Sequence, residues 1–175
     1  QPRTLCAWTK PSALGASFSV PAMFGSASAG WGIGMNTPST PPPLGRIFVL
    51  DHAGDLIYDQ PHGLNIWRHV CVTHTGTNEQ LFVDAYPVTA LTAKTLGTAS
   101  GQLFIGKATW ANDFFNGNID DVRVYNRALS LAEIQALQQQ PNKRMVLSAT
   151  ANNGLHDGGG GISGADALCV SAGAG

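Results

Sequence analysis

The sequence predicts an all-β fold: an antiparallel β-sandwich jelly roll with one short C-terminal helix. Three observations predict it. Short β-prone runs recur at close intervals and are punctuated by Gly, Pro, Asn and Thr. The 175 residues include 21 Gly and 10 Pro, which suits a loop-rich β protein. Only one segment, late in the chain, carries a helix signature. Apolar residues make up 43% of the chain, enough for a real core, while charged residues make up only 12%.

The expected strands are, in order, Thr4–Lys10, Ser17–Phe24, Trp31–Met35, Arg46–Leu50, Asp55–Tyr58, Trp67–Thr75, Gln80–Ala85, Gln102–Ile105 and Asn118–Tyr125. Trp8 and Trp67 read as core residues. Thr37–Pro43 (TPSTPPP) reads as a polyproline-like surface excursion. The run Ile119–Tyr125 alternates, with Asp120, Val122 and Val124 on one face and Ile119, Asp121, Arg123 and Tyr125 on the other. Ser130-Leu131-Ala132-Glu133 has the spacing of a capping box, in which the Ser hydroxyl and the Glu carboxylate satisfy each other's amides. Leu131, Ile134 and Leu137 form one apolar stripe, and Pro141 ends the helix. So short a helix must dock on a sheet to persist.

Pro141–Arg144 reads as a linker, and Lys143–Thr150 as one further strand. Asn152–Gly175 is rich in Gly, Ala and Asn, with four Gly in a row at 158–161, a composition fit for a flexible tail. The chain opens without Met and directly on a strand, as expected of a processed chain or part of a longer polypeptide. A net charge of −1 without a basic cluster argues against nucleic acid. No apolar run approaches membrane-spanning length.

Three segments resemble the laminin-G-like, concanavalin-A-like jelly rolls, including the pentraxin branch. They are Leu5-Cys6-Ala7-Trp8-Thr9-Lys10-Pro11, the pair Trp67–Thr73 and Gln80–Ala85, and Gly117–Ile134 with its IDDVRVYNRALS core. Together they span most of residues 4–140 in the family's order. Ala85 stands where the family usually has Gly. The resemblance implies a sandwich over residues 1–140 that lacks the family's first strands. Separately, Gly159–Cys169 (GGGISGADALC) resembles the opening of a small C-type-lectin-like or endostatin-like extracellular domain. Residues 141–175 are therefore expected to be a linker followed by a partial second domain or a Gly-rich tail.

In pentraxins the strands corresponding to those of Cys6 and Cys71 are joined, so the resemblance implies a Cys6–Cys71 disulfide. The alternative is two buried thiols. A bridge closing that loop would contribute about 4 kcal/mol in the chain-entropy model. Cys169 is then left over, its partner expected downstream.

The family implies non-catalytic recognition outside the cell or at its surface, as in cell adhesion, with a glycan or an extracellular protein as partner. Exposed aromatics beside acids and amides suit sugars, whose C–H faces stack on rings. Trp110, Asn112, Asp113, Phe114 and Phe115 share one loop and are the candidate ligand site. The rings could equally cover the edge of the core. Calcium takes loop carboxylates and carbonyls, which makes Asp113, Asn116 and Asp120 the candidate Ca²⁺ ligands; a structural role for Asp120 is the alternative. Asp51 and Asp55 flank another turn. Lys107-Ala108-Thr109-Trp110 stands where the pentraxin acidic loop would be, which argues against the two-calcium pentraxin site.

Enzymatic readings fare worse. Retaining glycosidases need two carboxylates about 5 Å apart. This chain has only two Glu, Glu79 and Glu133, and no E-x-D-x-x-E run, and Asp120 and Asp121 are strand neighbours on opposite faces. His69-x-Cys71-x-x-His74 falls short of a four-ligand zinc set. The expectation is therefore a protein that is not an enzyme. An alternative is a structural subunit of an extracellular assembly, a homo-oligomer or filament, in which an exposed sheet edge accepts a strand or tail from a neighbouring chain.

Overall fold

The computed structural model describes residues 1–13, 19–26, 29–35, 45–51, 54–96, 102–108 and 114–140. The expectations for residues 141–175, the proline-rich loop, Trp110, Asn112 and Asp113 lie outside these described residues.

Among the described residues eleven strands precede one helix. They are β1 (Arg3–Pro11), β2 (Ser19–Gly25), β3 (Trp31–Met35), β4 (Arg46–Asp51), β5 (Leu56–Pro61), β6 (Arg68–His74), β7 (Asn78–Val83), β8 (Tyr86–Pro87), β9 (Thr92–Ala93), β10 (Gln102–Ile105) and β11 (Gly117–Tyr125), followed by α1 (Leu131–Gln139). They form two antiparallel sheets. One runs β11-β1-β6-β7-β8, with β9 also on β7, and the other runs β10-β2-β3-β4-β5. The jelly-roll sandwich with one late helix is thus as the sequence predicted. The short strands β8 and β9 were not foreseen.

Period-two alternation builds the main core. Leu5, Ala7, Val70, Val72, Leu81 and Val83 face Ala22, Trp31, Ile33, Ile47 and Val49 across the gap between the sheets. Two further clusters lie beyond it. Met23, Phe48 and Leu50 pack with Ala108. Gly32 and Gly34 make room for them: a Cβ at Gly34 would fall 2.2 Å from Phe48 Cζ, and one at Gly32 would fall 2.5 Å from the Ala22 carbonyl oxygen. Phe48 and Gly34 are cross-strand partners, so the ring covers what the glycine leaves bare.

The third cluster joins Cys6, Cys71 and Phe82 to Leu129, Ile134 and Leu137. Here α1 docks, its stripe reduced to Ile134 and Leu137 while Leu131 stays exposed. The capping box forms as expected. Ser130 Oγ accepts the Glu133 amide, and Glu133 Oε2 accepts the Ser130 amide at 2.8 Å. Cys6 and Cys71 are register partners on β1 and β6 and are joined by a disulfide.

Two local expectations are corrected. The alternation of β11 breaks at a bulge, where the register against β1 slips between Cys6 and Trp8. Asp121 is the inserted residue, at φ 48°. Asp120 therefore shares a face with Arg123, not with Val122, which packs inside with Ile119. Asp84 and Ala85 are not strand residues. They form the two-residue turn from β7 to β8, both at positive φ. Ala85 thus holds the left-handed position that the family gives to Gly.

Candidate functional site

The sandwich has two ends, and polar residues close the core at each. At the end where β1 begins, Arg3, His74 and Glu79 form one register row across β1, β6 and β7. Trp31 and Asp51 form a row in the facing sheet. Trp31 Nε1–H donates to Glu79 Oε1 at 2.6 Å, a bond that ties the two sheets together. Glu79 is fully buried and its Oε2 has no hydrogen-bond partner. Burial pushes its carboxyl up to about 7; the Trp31 bond and Lys94 oppose this, while Asp51 and Asp55 add to it. Lys94 reaches across this end. Its ammonium lies 3.6 Å from Asp51 Oδ2 and donates to the Gly54 carbonyl. His74 Nε2 donates to the Lys94 carbonyl and Nδ1 accepts the Gly76 amide, which fixes one tautomer.

At the opposite end, where β1 finishes, Thr9 Oγ1 meets His62 Nε2 at 2.8 Å. Arg68 donates to the His62 carbonyl and to Asp84 Oδ2, while Asp84 Oδ1 accepts the His69 amide. The described part of the surface predicted for ligand adjoins the same end of β1, where Pro11 pairs with Gly117 and the Ser12 amide donates to the Asn116 carbonyl. Phe114 bridges to Lys107, and the Phe115 amide donates to the Gly106 carbonyl. Phe114 is 59% exposed, whereas Phe115 is half-buried. Of the five candidate ligand residues, then, Phe114 presents its ring to solvent and Phe115 only in part. The remaining three are outside the described residues.

Two of the three expected calcium ligands, Asn116 and Asp120, are described, and each makes a hydrogen bond within the fold. Asp120 Oδ1 accepts the Asp121 amide at 2.8 Å and so caps the bulge. The Asn116 carbonyl accepts the Ser12 amide at 2.9 Å. Among the described residues one group of three His, Cys, Asp or Glu side chains converges within 4.8 Å, namely Cys6, His69 and Cys71. Its two sulfurs are bonded to each other, which removes the thiolates a zinc ion would need. His69 packs against Trp8 with ring centroids 5.2 Å apart and planes tilted by 40°, and burial holds its pKa down to about 4, so the imidazole is neutral.

Trp67 corrects a further expectation. It stands outside the strands and is 36% exposed, not in the core. Leu64 and Ile66, in the same β5–β6 loop, are 47% and 51% exposed. Neither this apolar loop nor the Trp31–Glu79 pair was picked out as a site from the sequence. A P-H-G-L-N-I-W run marks a loop by its Gly and Asn. Glu79 meets Trp31 only across the sheet gap.

The chain belongs to the concanavalin A-like lectin/glucanases superfamily, which matches residues 1–135. No curated protein sequence matches it. Solved structures share the fold at low identity. Domain 4 of AbnA, a GH43 extracellular arabinanase from Geobacillus stearothermophilus in complex with arabinotriose, is 15% identical, with a TM-score of 0.60 over 78% of this chain and 66% of that one. Trypanosoma rangeli sialidase is 19% identical, with a TM-score of 0.58 over 78% of this chain and 22% of the sialidase. The heptameric SAP-like pentraxin of Limulus polyphemus is 15% identical, with a TM-score of 0.57 over 78% of this chain and 69% of that one. This chain thus spans just under two thirds of the arabinanase domain and about a fifth of the sialidase.

The expectation of a protein that is not an enzyme is corrected by these findings. The structures sharing the fold include parts of an arabinanase and a sialidase, and the superfamily takes in glucanases as well as lectins. The missing E-x-D-x-x-E run excludes one arrangement of carboxylates, not a glycoside-related role. No helix among the described residues is long and apolar enough to cross a membrane.

Proposed function

We propose that residues 1–140 are a carbohydrate-recognition sandwich of a glycoside-related extracellular protein. On this reading the ligand surface lies at the end of the sandwich where Phe114 is displayed. The observation that carries it is an exposed aromatic ring, Phe114, on an end loop of a concanavalin A-like sandwich. The apolar face of a sugar stacks on such a ring, while neighbouring amides bond its hydroxyls. The Cys6–Cys71 bridge supports the extracellular setting, because disulfides persist in oxidising compartments.

Titration calorimetry against arabino-, xylo- and sialyl-oligosaccharides tests this reading, with reducing-sugar release assayed in the same samples. Phe114→Ala is expected to weaken binding while leaving the melting temperature unchanged. If the wild type binds none of the panel, the proposal is wrong. A chelator arm tests the calcium proposal: Asp113, Asn116 and Asp120 would supply the oxygens, and binding that survives chelation removes the ion from the account.

A second reading, assembly with further copies of this chain, is supported by β10. This strand pairs with β2 and exposes Leu103 and Ile105. Sedimentation of the chain at several concentrations tests it, and a single monomeric species would dismiss it.

A further inference from the structure

We propose that the β5–β6 loop, Leu64–Trp67, is a second sugar-stacking platform that continues the Phe114 surface and selects neutral oligosaccharides. The inference rests on the glycan-recognition reading above.

A loop that merely connects two strands gains by turning its apolar side chains inward. Here Leu64, Asn65, Ile66 and Trp67 are all exposed in succession, and three of them are large and apolar. Yet the backbone that displays them is anchored from several sides. The His62 amide donates to the Gly45 carbonyl at 2.9 Å, ahead of β4. The Asn65 amide donates to the Pro11 carbonyl at 2.7 Å, at the end of β1, and Asn65 adopts the left-handed conformation, φ 58°, to do so. His62 is buried against Thr9, and the Arg68–Asp84 pair closes the loop's far side. Ile66 folds back over Gly63, whose absent Cβ would sit 3.1 Å from Ile66 Cδ1. An apolar display on a backbone already fixed loses little conformational entropy on binding.

The same hydrogen bonds tie the loop to the Phe114 segment. Asn65 holds Pro11, Pro11 is paired with Gly117, and the next amide, Ser12, donates to the Asn116 carbonyl. Two hydrogen bonds and one residue step therefore separate Asn65 from Asn116, a span of roughly 10 Å. One oligosaccharide of a few rings can lie across both segments. Neither Leu64–Trp67 nor Phe114–Gly117 carries a charged side chain. Lys107, bridged to Phe114, holds its ammonium over the Phe104 ring. Arg68 is committed to Asp84 at 2.7 Å. Leu64–Trp67 and Phe114–Gly117 themselves thus offer apolar faces and amides, and the exposed cation beside them, Lys107, is turned to the Phe104 ring, so this surface fits neutral sugars better than acidic ones.

The test compares the full chain with Leu64→Ser/Ile66→Ser, Trp67→Ala and Phe114→Ala by calorimetry. The probes are arabinotriose, xylotriose and 3′-sialyllactose. Both loop variants are expected to weaken neutral trisaccharide binding about tenfold, the loss of one apolar contact. Should Trp67→Ala fail to fold, the double serine variant, altered only at half-exposed positions, decides. Undiminished binding in folded loop variants, with Phe114→Ala impaired, overturns this inference and leaves the glycan reading standing. Preference for 3′-sialyllactose overturns the neutral class. No binding by the wild type overturns both readings.

Discussion

Replacing Glu79 by Gln should remove much of the dependence of stability on pH. Glu79 is buried, shares Oε1 with Trp31 and leaves Oε2 without a partner. Its pKa rises from 4.5 to about 7, chiefly through burial. In the unfolded chain the group regains its ordinary value, so the native state binds the proton more tightly. The stability this confers is fully present below about pH 4.5 and is lost as the pH rises through 7. The interval between 4.5 and about 7 corresponds to about 3 kcal/mol. His69 works in the opposite sense. Its pKa is lowered from 6.5 to about 4, so its contribution is present above 6.5 and lost as the pH falls through 4. Comparing wild type with Glu79→Gln at each pH cancels the His69 contribution. Urea unfolding from pH 4.5 to 8.5, with the disulfide intact, is the assay. The wild type should lose about 3 kcal/mol relative to the variant across this range. Gln keeps an oxygen for the Trp31 N–H and carries no charge to bury, so the variant should gain on the wild type between pH 4.5 and about 7 and hold that difference above it. Parallel pH profiles for the two proteins would refute the reasoning.

Three more outcomes are expected. Reduction of Cys6–Cys71, or replacement of both by Ala, should cost about 4 kcal/mol for a separation of 65 residues, read as a lower denaturant midpoint. Gly32→Ala should destabilise by at least about 2 kcal/mol in thermal unfolding, because its Cβ would press on backbone atoms of Ala22 and Met23, which cannot swing aside. Ser130→Ala should cost about 1 kcal/mol through loss of the cap, with helical circular dichroism near α1 reduced and the sheet signal kept.

Local rules account for the strands and the helix. Short β-prone runs set off by Gly, Pro, Asn and Thr placed β1, β3, β4, β6 and β10 within about two residues of their observed limits, and the Ser130–Glu133 spacing marked the start of α1. The misses arise where a neighbour overrides local preference. Asp121 reads as an ordinary strand residue, but β1 has one residue fewer to pair, and the excess is expelled as a bulge. Trp67 reads as core because it is a Trp beside a β-branched run. Asn65, drawn to Pro11, turns that loop outward. In the candidate ligand loop the sequence left open whether the rings face solvent or cover the core edge, and the structure leaves Phe114 exposed. The Leu64–Trp67 platform was not legible, because its exposure depends on anchors from β1 and β4.

The family, the two-sheet class, the capped helix and, through the family resemblance, the pairing of Cys6 with Cys71 can all be read from the chain's residues. These follow from spacings of two to four residues and from motifs that survive at low identity. That Glu79 lies opposite Trp31, that Lys94 spans the same end, and that Leu64–Trp67 shares the other end with Phe114 emerges only once the chain is folded. Each of these depends on how two sheets face one another. That relation is fixed by packing over the whole core and is written in no local run of residues.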